Sequence, residues 1–189
     1  MQLLPRYIWL IIVVPLLLYS CKAGNKNGTY ESIIKQAGFS NEKKLLVVVF
    51  INPECPITQK YTRTLNELSD SLNESTLFVG VIPGKLFNGR KITDFRKEFA
   101  FKIPIIKDEQ YAITKTLSAT VYPEVVLLNQ KSEKLYSGKI DNWYESVGNY
   151  RAEPTEFYLK EAIKEYLHNG TVSTKSTKAV GCFINYERN

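Results

Sequence analysis

Leu45-Leu46-Val47-Val48-Val49-Phe50-Ile51-Asn52-Pro53-Glu54-Cys55-Pro56-Ile57-Thr58-Gln59-Lys60-Tyr61 is the stretch on which the reading of the chain turns. Its first seven residues are apolar, β-branched or aromatic and end at Asn-Pro, the pattern of a strand buried on both faces. From Ile57 the apolar positions Ile57, Tyr61, Leu65, Leu68 and Leu72 fall four, four, three and four apart, which is one face of an amphipathic helix. Pro56 suits the first helical position, where its missing N–H would have had no partner. Cys55 is therefore expected at a helix N-terminus directly after a central strand, where the positive end of the helix dipole favours a thiolate.

Working outward to the N-terminus, residues 1–20 carry one early cation, Arg6, and an apolar run from Tyr7 to Leu18 interrupted by Pro15. That run is short for a bilayer span of about twenty residues and suits the core of an export signal. It closes on Leu18-Tyr19-Ser20-Cys21, which resembles the lipobox of bacterial lipoproteins. The resemblance implies cleavage before Cys21, lipid on its sulfur and a membrane anchor. Residues 21–29 read as a polar tether. Lys22 stands where an aspartate often retains such proteins at the inner membrane, so the expectation is an outer-membrane anchor facing the periplasm.

The chain has 189 residues, 44% hydrophobic and 23% charged, with net charge +6, or +5 (24 basic against 19 acidic groups) once residues 1–20 are removed. This suits one globular domain over residues 30–170 with a tail, 171–189. The cations are interspersed with Glu42, Asp94, Glu98 and Glu161, so the basic balance reads as a solvated surface and no nucleic-acid partner is expected. Of three cysteines, lipidation of Cys21 leaves Cys55 and Cys182 as a pair in an oxidising compartment. The single histidine, His168, leaves little room for histidine catalysis. No phosphate-binding Gly-rich loop, zinc spacing or Ser-His-Asp set is present, and no cofactor or metal is expected.

Along the remaining chain, Tyr30–Gly38 reads as a short helix and Thr76–Ile82 as a second buried strand ended by Pro83-Gly84. Thr93 or Asp94 is expected to cap a helix with Ile92, Phe95 and Phe99 on one face. Ile103–Ile106 reads as an edge strand, 111–117 as a small helix, and Thr120–Leu128 as a third apolar strand containing Pro123. A turn at 129–132 and an antiparallel strand at 134–137 follow. Pro154 is expected to open the last helix, with Leu159, Ala162, Ile163 and Tyr166 inward and Gly170 as its stop.

This order of elements resembles the thioredoxin-like redoxins over roughly residues 40–170, and implies an α/β fold with a central mixed sheet flanked by helices. Cys55-Pro56-Ile57-Thr58 resembles a Cys-x-x-Cys motif whose second cysteine has become threonine. Val121-Tyr122-Pro123-Glu124 resembles the cis-proline loop that faces the active cysteine, which implies a cis Tyr122–Pro123 bond. The segment 136–141 and the ending Val180-Gly181-Cys182-Phe183-Ile184 resemble an exported bacterial redoxin subfamily with a terminal Gly-Cys. The site residues implied are Cys55, Thr58, Pro123 and Cys182.

Thr58 is expected to hydrogen-bond the Cys55 sulfur, while the neighbouring Glu54 opposes its ionisation. Thr58 cannot resolve a mixed disulfide as a second cysteine would. Cys182 stays open between a resolving thiol on a flexible tail, one end of a permanent disulfide, and an unpaired residue. Four functions follow. The leading one is a thiol–disulfide oxidoreductase acting on exported protein thiols or disulfides with a reductant the sequence does not name. A peroxiredoxin-like peroxidase is weakened because Val48 and Asn52 occupy the places of that family's proline and hydroxyl residue. Copper delivery lacks a second thiol in the motif. The fourth is a silent adaptor. Trp143, Tyr144 and Tyr150 read as packing over a sheet edge, with a partner groove as the alternative. Asp141 reads as a turn former, with proton transfer as the alternative.

Overall fold

The computed structural model describes residues 28–40 and 43–186. The signal-like segment, Cys21 and the tether up to residue 27 lie outside the described residues. In chain order the elements are α1 (Gly28–Gln36), β1 (Leu45–Phe50), α2 (Pro56–Ser71), β2 (Thr76–Pro83) and α3 (Gly89–Glu98). Next come β3 (Ile105–Asp108), α4 (Ala112–Leu117), β4 (Val121–Tyr122), β5 (Glu124–Asn129) and β6 (Lys134–Gly138). The last four are β7 (Tyr144–Ser146), β8 (Asn149–Tyr150), α5 (Tyr158–Asn169) and β9 (Cys182–Phe183).

All six residues of β1 are buried, as a strand with no polar face requires. It lies at the middle of a five-stranded sheet of order β3-β2-β1-β5-β6. β1, β2 and β3 run parallel, while β5 and β6 are antiparallel to their neighbours. The apolar stripe of α2 packs as its spacing requires: Ile57, Tyr61 and Leu65 are buried, with Leu68 and Leu72 at the margin of the core. Pro56 is at the start of α2, and Cys55 is its N-cap with extended dihedrals (φ −80°, ψ 116°).

Four of the departures from the sequence expectation bear on the site, the first three for a visible reason. α3 is capped by Asn88, whose side chain accepts from Lys91 N, so the helix begins before Thr93 and Asp94. Pro123 splits the expected third strand: β4 leaves the main sheet and pairs with β9, and β5 alone continues in the core. α5 begins at Tyr158, because the N–H groups of Thr155 and Glu156 donate to Asn142 Oδ1 at 2.8 and 3.1 Å. Bound to a side chain across a loop, they hold 155–156 out of the helix. The fourth departure is the small β7–β8 hairpin inside a segment expected to be irregular.

The tail is part of the fold. Val172 and Ile184 are buried, Ser176 bridges to Ser137 on β6, and β9 pairs antiparallel with β4. Gly138 makes that route possible. Its φ is +135°, and a Cβ there would overlap the backbone oxygen and hydroxyl of Thr177. Gly138→Ala is expected to lower the unfolding free energy by about 2–3 kcal/mol through backbone strain plus overpacking, read as a drop in the urea midpoint. An unchanged midpoint would mean that the tail is not seated on β6 in solution.

Candidate active site

Cys55 leaves β1 through a loop fixed by its own backbone. Its N–H donates to Asn52 O and its carbonyl accepts from Gln59 N, each at 3.0 Å, while Gln59 Nε2 holds Pro53 O at 2.8 Å. The side chain is 2% exposed. The sulfur makes no capping bond to the helix; the thiol donates to Tyr122 O at 3.4 Å. Tyr122 and Pro123 are joined by a cis peptide bond. The strand–loop–helix and the proline loop, 67 residues apart in sequence, thus meet at one sulfur.

Cys182 is the second member. β9 lies on β4 in antiparallel register with Cys182 opposite Tyr122 and Phe183 opposite Val121. This places Cys182 Sγ 2.7 Å from Cys55 Sγ, with both cysteines free of a disulfide in this structure. Burial and the neighbouring Cys55 sulfur push the Cys182 thiol up to about 12. Cys182 therefore tends to hold its proton, and either sulfur can be the donor in the contact between them.

Thr58 departs from expectation. It is fully buried, but its hydroxyl accepts from Asn52 N at 3.5 Å and makes no bond to Cys55 Sγ. Helical Cβ atoms tilt toward the N-terminus, so a residue in the first turn reaches back over the preceding loop rather than across to the sulfur. Glu54 likewise turns outward, pairing with Lys91 at 3.1 Å. His168 sits exposed in the last turn of α5. Among the described residues no group of three or more His, Cys, Asp or Glu side chains is placed to hold a metal ion.

Two groups beside the site were not singled out from sequence. Glu124 is buried, and its Oε2 accepts from Thr120 N at 2.7 Å, Thr120 Oγ1 at 3.1 Å and Val121 N at 3.3 Å, which fixes the entry to the cis-proline loop. The signal was a threonine and a glutamate four apart, flanking a proline. The other is Tyr61, whose hydroxyl donates to Asp141 Oδ1 at 2.5 Å. Asp141 is the turn former expected, accepting from Trp143 N two residues on, and it is also buried, which raises its pKa. Tyr61, Trp143, Tyr144 and Tyr150 form one cluster with neighbouring ring centroids 5.5–6.4 Å apart. It packs on α2 beside the site, and Lys60 Nζ lies 5.1 Å from the Tyr150 ring. A small cleft lined by Tyr61, Asp141, Tyr144, Pro123 and Val180 links this cluster to the cis-proline.

No protein-family model matches the chain, and no curated protein matches it. Solved structures do. A hypothetical protein from Sinorhizobium meliloti superposes with TM-score 0.64 at 19% identity, covering 78% of this chain and 82% of that one. An uncharacterised conserved protein from Geobacillus kaustophilus gives 0.61 at 17% identity, covering 78% and 79%. A protein from Neisseria meningitidis described as a candidate thioredoxin gives 0.52 at 19%, covering 68% and 77%. The fold is thioredoxin-like.

The raised Cys182 pKa carries a sign. The folded value lies above the ordinary 9.0, so the folded state holds this proton more tightly than the unfolded one. Its contribution to stability is complete below about pH 9 and is lost as pH rises toward 12. The melting-temperature difference between reduced wild type and Cys182→Ser is expected to shift against the wild type across that interval. A difference that stays constant from pH 8 to pH 11, by differential scanning calorimetry, would contradict the buried setting of Cys182.

Proposed function

We propose that the chain is a thiol–disulfide oxidoreductase of the cell envelope in which Cys55 and Cys182 alternate between dithiol and disulfide. The observation that carries this reading is the 2.7 Å approach of the two sulfurs at the N-terminus of α2, against the cis Tyr122–Pro123 peptide. Cys55 is the attacking sulfur, since it caps the helix and Cys182 keeps its proton. Attack on a partner disulfide joins Cys55 to one partner sulfur and expels the other as a thiol. The Cys55 sulfur then no longer bears the proton or charge that helps hold the Cys182 proton, so only burial does. Cys182 becomes the resolving thiol: it attacks Cys55 Sγ, closes the internal disulfide and releases the second partner thiol. An envelope dithiol protein as reductant returns the pair to the start.

The export-like segment 1–20 and the lipobox-like Leu18-Tyr19-Ser20-Cys21 support a periplasm-facing lipoprotein anchored through Cys21, in a compartment where such a pair is oxidised. The peroxidase alternative finds less support. Val48 is inside β1, and the Asn52 amide oxygen is engaged by Glu54 N at 2.8 Å, so that position offers the sulfur no hydroxyl. The adaptor reading has one observation in its favour. Cys55 is buried beneath a tail held on both sides, the setting of a structural bridge.

Trapping separates the two. In envelope extracts, Cys182→Ser is expected to accumulate reductant-sensitive covalent adducts through Cys55, at least tenfold above Cys55→Ser on non-reducing gels. Equal or absent adducts in both variants would leave the adaptor.

A further inference from the structure

Residues 176–186 form a strap pinned at both ends. At the near end Thr177 N donates to Ser137 O at 3.0 Å, and the Thr177 and Tyr136 hydroxyls meet at 2.6 Å. At the far end Ile184 N donates to Thr120 O at 2.9 Å, Tyr186 Oη donates to Ala119 O at 2.6 Å, and the Tyr186 ring lies 5.2 Å from that of Tyr111. Between these anchors Gly181-Cys182-Phe183 crosses directly over Cys55. Among the described residues, β9 is the only strand paired with β4.

This crossing has the geometry of a bound peptide. It is antiparallel to β4, its cysteine stands opposite Tyr122, and its sulfur meets the reactive one. Its two flanking positions are under opposite constraints. A Cβ on residue 181 would overlap the Tyr122 carbonyl oxygen and carbon. Those are backbone atoms of the cis-proline loop, bonded to the Cys55 thiol on one side and to β9 on the other, so they cannot swing aside as a flexible side chain would. The residue after the cysteine is unconstrained: Phe183 is 85% exposed.

We propose that Gly181–Cys182–Phe183 occupies in cis the place of the substrate, and that Cys55 accepts, once the strap has left β4, cysteines that lie in extended segments with glycine immediately before the cysteine. This inference rests on the thiol–disulfide reading above and narrows it to a substrate class. An incoming segment adds to the β4 edge by main-chain pairing, as the strap does. Any side chain in place of the glycine meets Tyr122 O and holds the following sulfur away from Cys55. The displaced Cys182 returns to resolve. The electron count closes without another reactant: Cys55 attacks the peptide sulfur, the peptide's S–S bond to its former partner breaks, and that partner leaves with the electron pair while the Cys55 proton passes to it or to solvent. Cys182 then attacks Cys55, and its proton passes to the departing peptide thiolate. One disulfide is reduced and one is formed.

The test uses reduced full-length wild-type protein and two five-residue peptides, one with Gly-Cys-Phe and one with Val-Cys-Phe at the centre. Each cysteine is disulfide-linked to 5-thio-2-nitrobenzoate, whose release is followed by stopped-flow absorbance, and each rate is divided by the same peptide's rate with glutathione. The glycine peptide is expected to react at least tenfold faster. Equal normalised rates would overturn the substrate class and leave the oxidoreductase standing. Release from neither peptide would remove the thiol–disulfide reading, and this inference with it. A second measurement addresses the strap. Iodoacetamide is expected to modify Cys55 at least tenfold faster in Gly181→Val/Cys182→Ser than in Cys182→Ser, and an unchanged rate would overturn the occupancy of β4 by the strap.

Discussion

The passage of Gly181 over the Tyr122 carbonyl is the contact on which the site depends. β9 has two residues in its ladder with β4, so main-chain pairing alone holds it weakly. What fixes the sulfur of Cys182 at Cys55 is the closeness of approach, and that closeness is available only to a residue without a Cβ. Two neighbouring groups support the same contact. Glu124 bonds the Thr120–Val121 backbone and so sets the level of the β4 edge. Gly138 and Thr177 set the angle at which the strap leaves β6.

Burial and position then set two chemically identical side chains apart. Cys55 sits at a helix N-terminus with its thiol turned to a carbonyl; Cys182 sits on a strand with its proton retained by burial and by its neighbour. In the proposed cycle the roles of attacking and resolving sulfur rest on that asymmetry, and their order on the loss of the Cys55 proton once it is bonded to a partner. The sulfur that meets Cys55 comes from 127 residues later in the chain, and Thr58, three residues after Cys55, bonds the loop backbone.

The central strand and the helix behind Cys55 were legible because each follows from a local rule, an unbroken apolar run and a 3.6-residue period, whereas the cis bond at Pro123 was implied by the resemblance of Val121-Tyr122-Pro123-Glu124 to a cis-proline loop. The splitting of the third strand was not, since its two halves are equally apolar and only the tertiary position of β9 gives β4 another partner. The tail was expected to be flexible, because Ser, Thr and Lys dominate residues 171–178. Its attachment comes instead from single well-placed atoms, the Thr177 hydroxyl among them, which carry no periodic signature. The start of α5 was displaced for a similar reason: one side chain, Asn142, claims the N–H groups that a helix would have used. The role of Thr58 was misassigned because the motif names the residue but not the direction of its Cβ.

The measurement that bears most directly on the account is the reduction potential of the Cys55–Cys182 couple in full-length protein, read by differential alkylation and mass spectrometry across a dithiol redox titration. A working pair is expected to open reversibly at a potential above about −250 mV, in the range where catalytic dithiols exchange with their partners. A bridge that stays closed below about −300 mV would be a structural disulfide, and the enzymatic account would be contradicted.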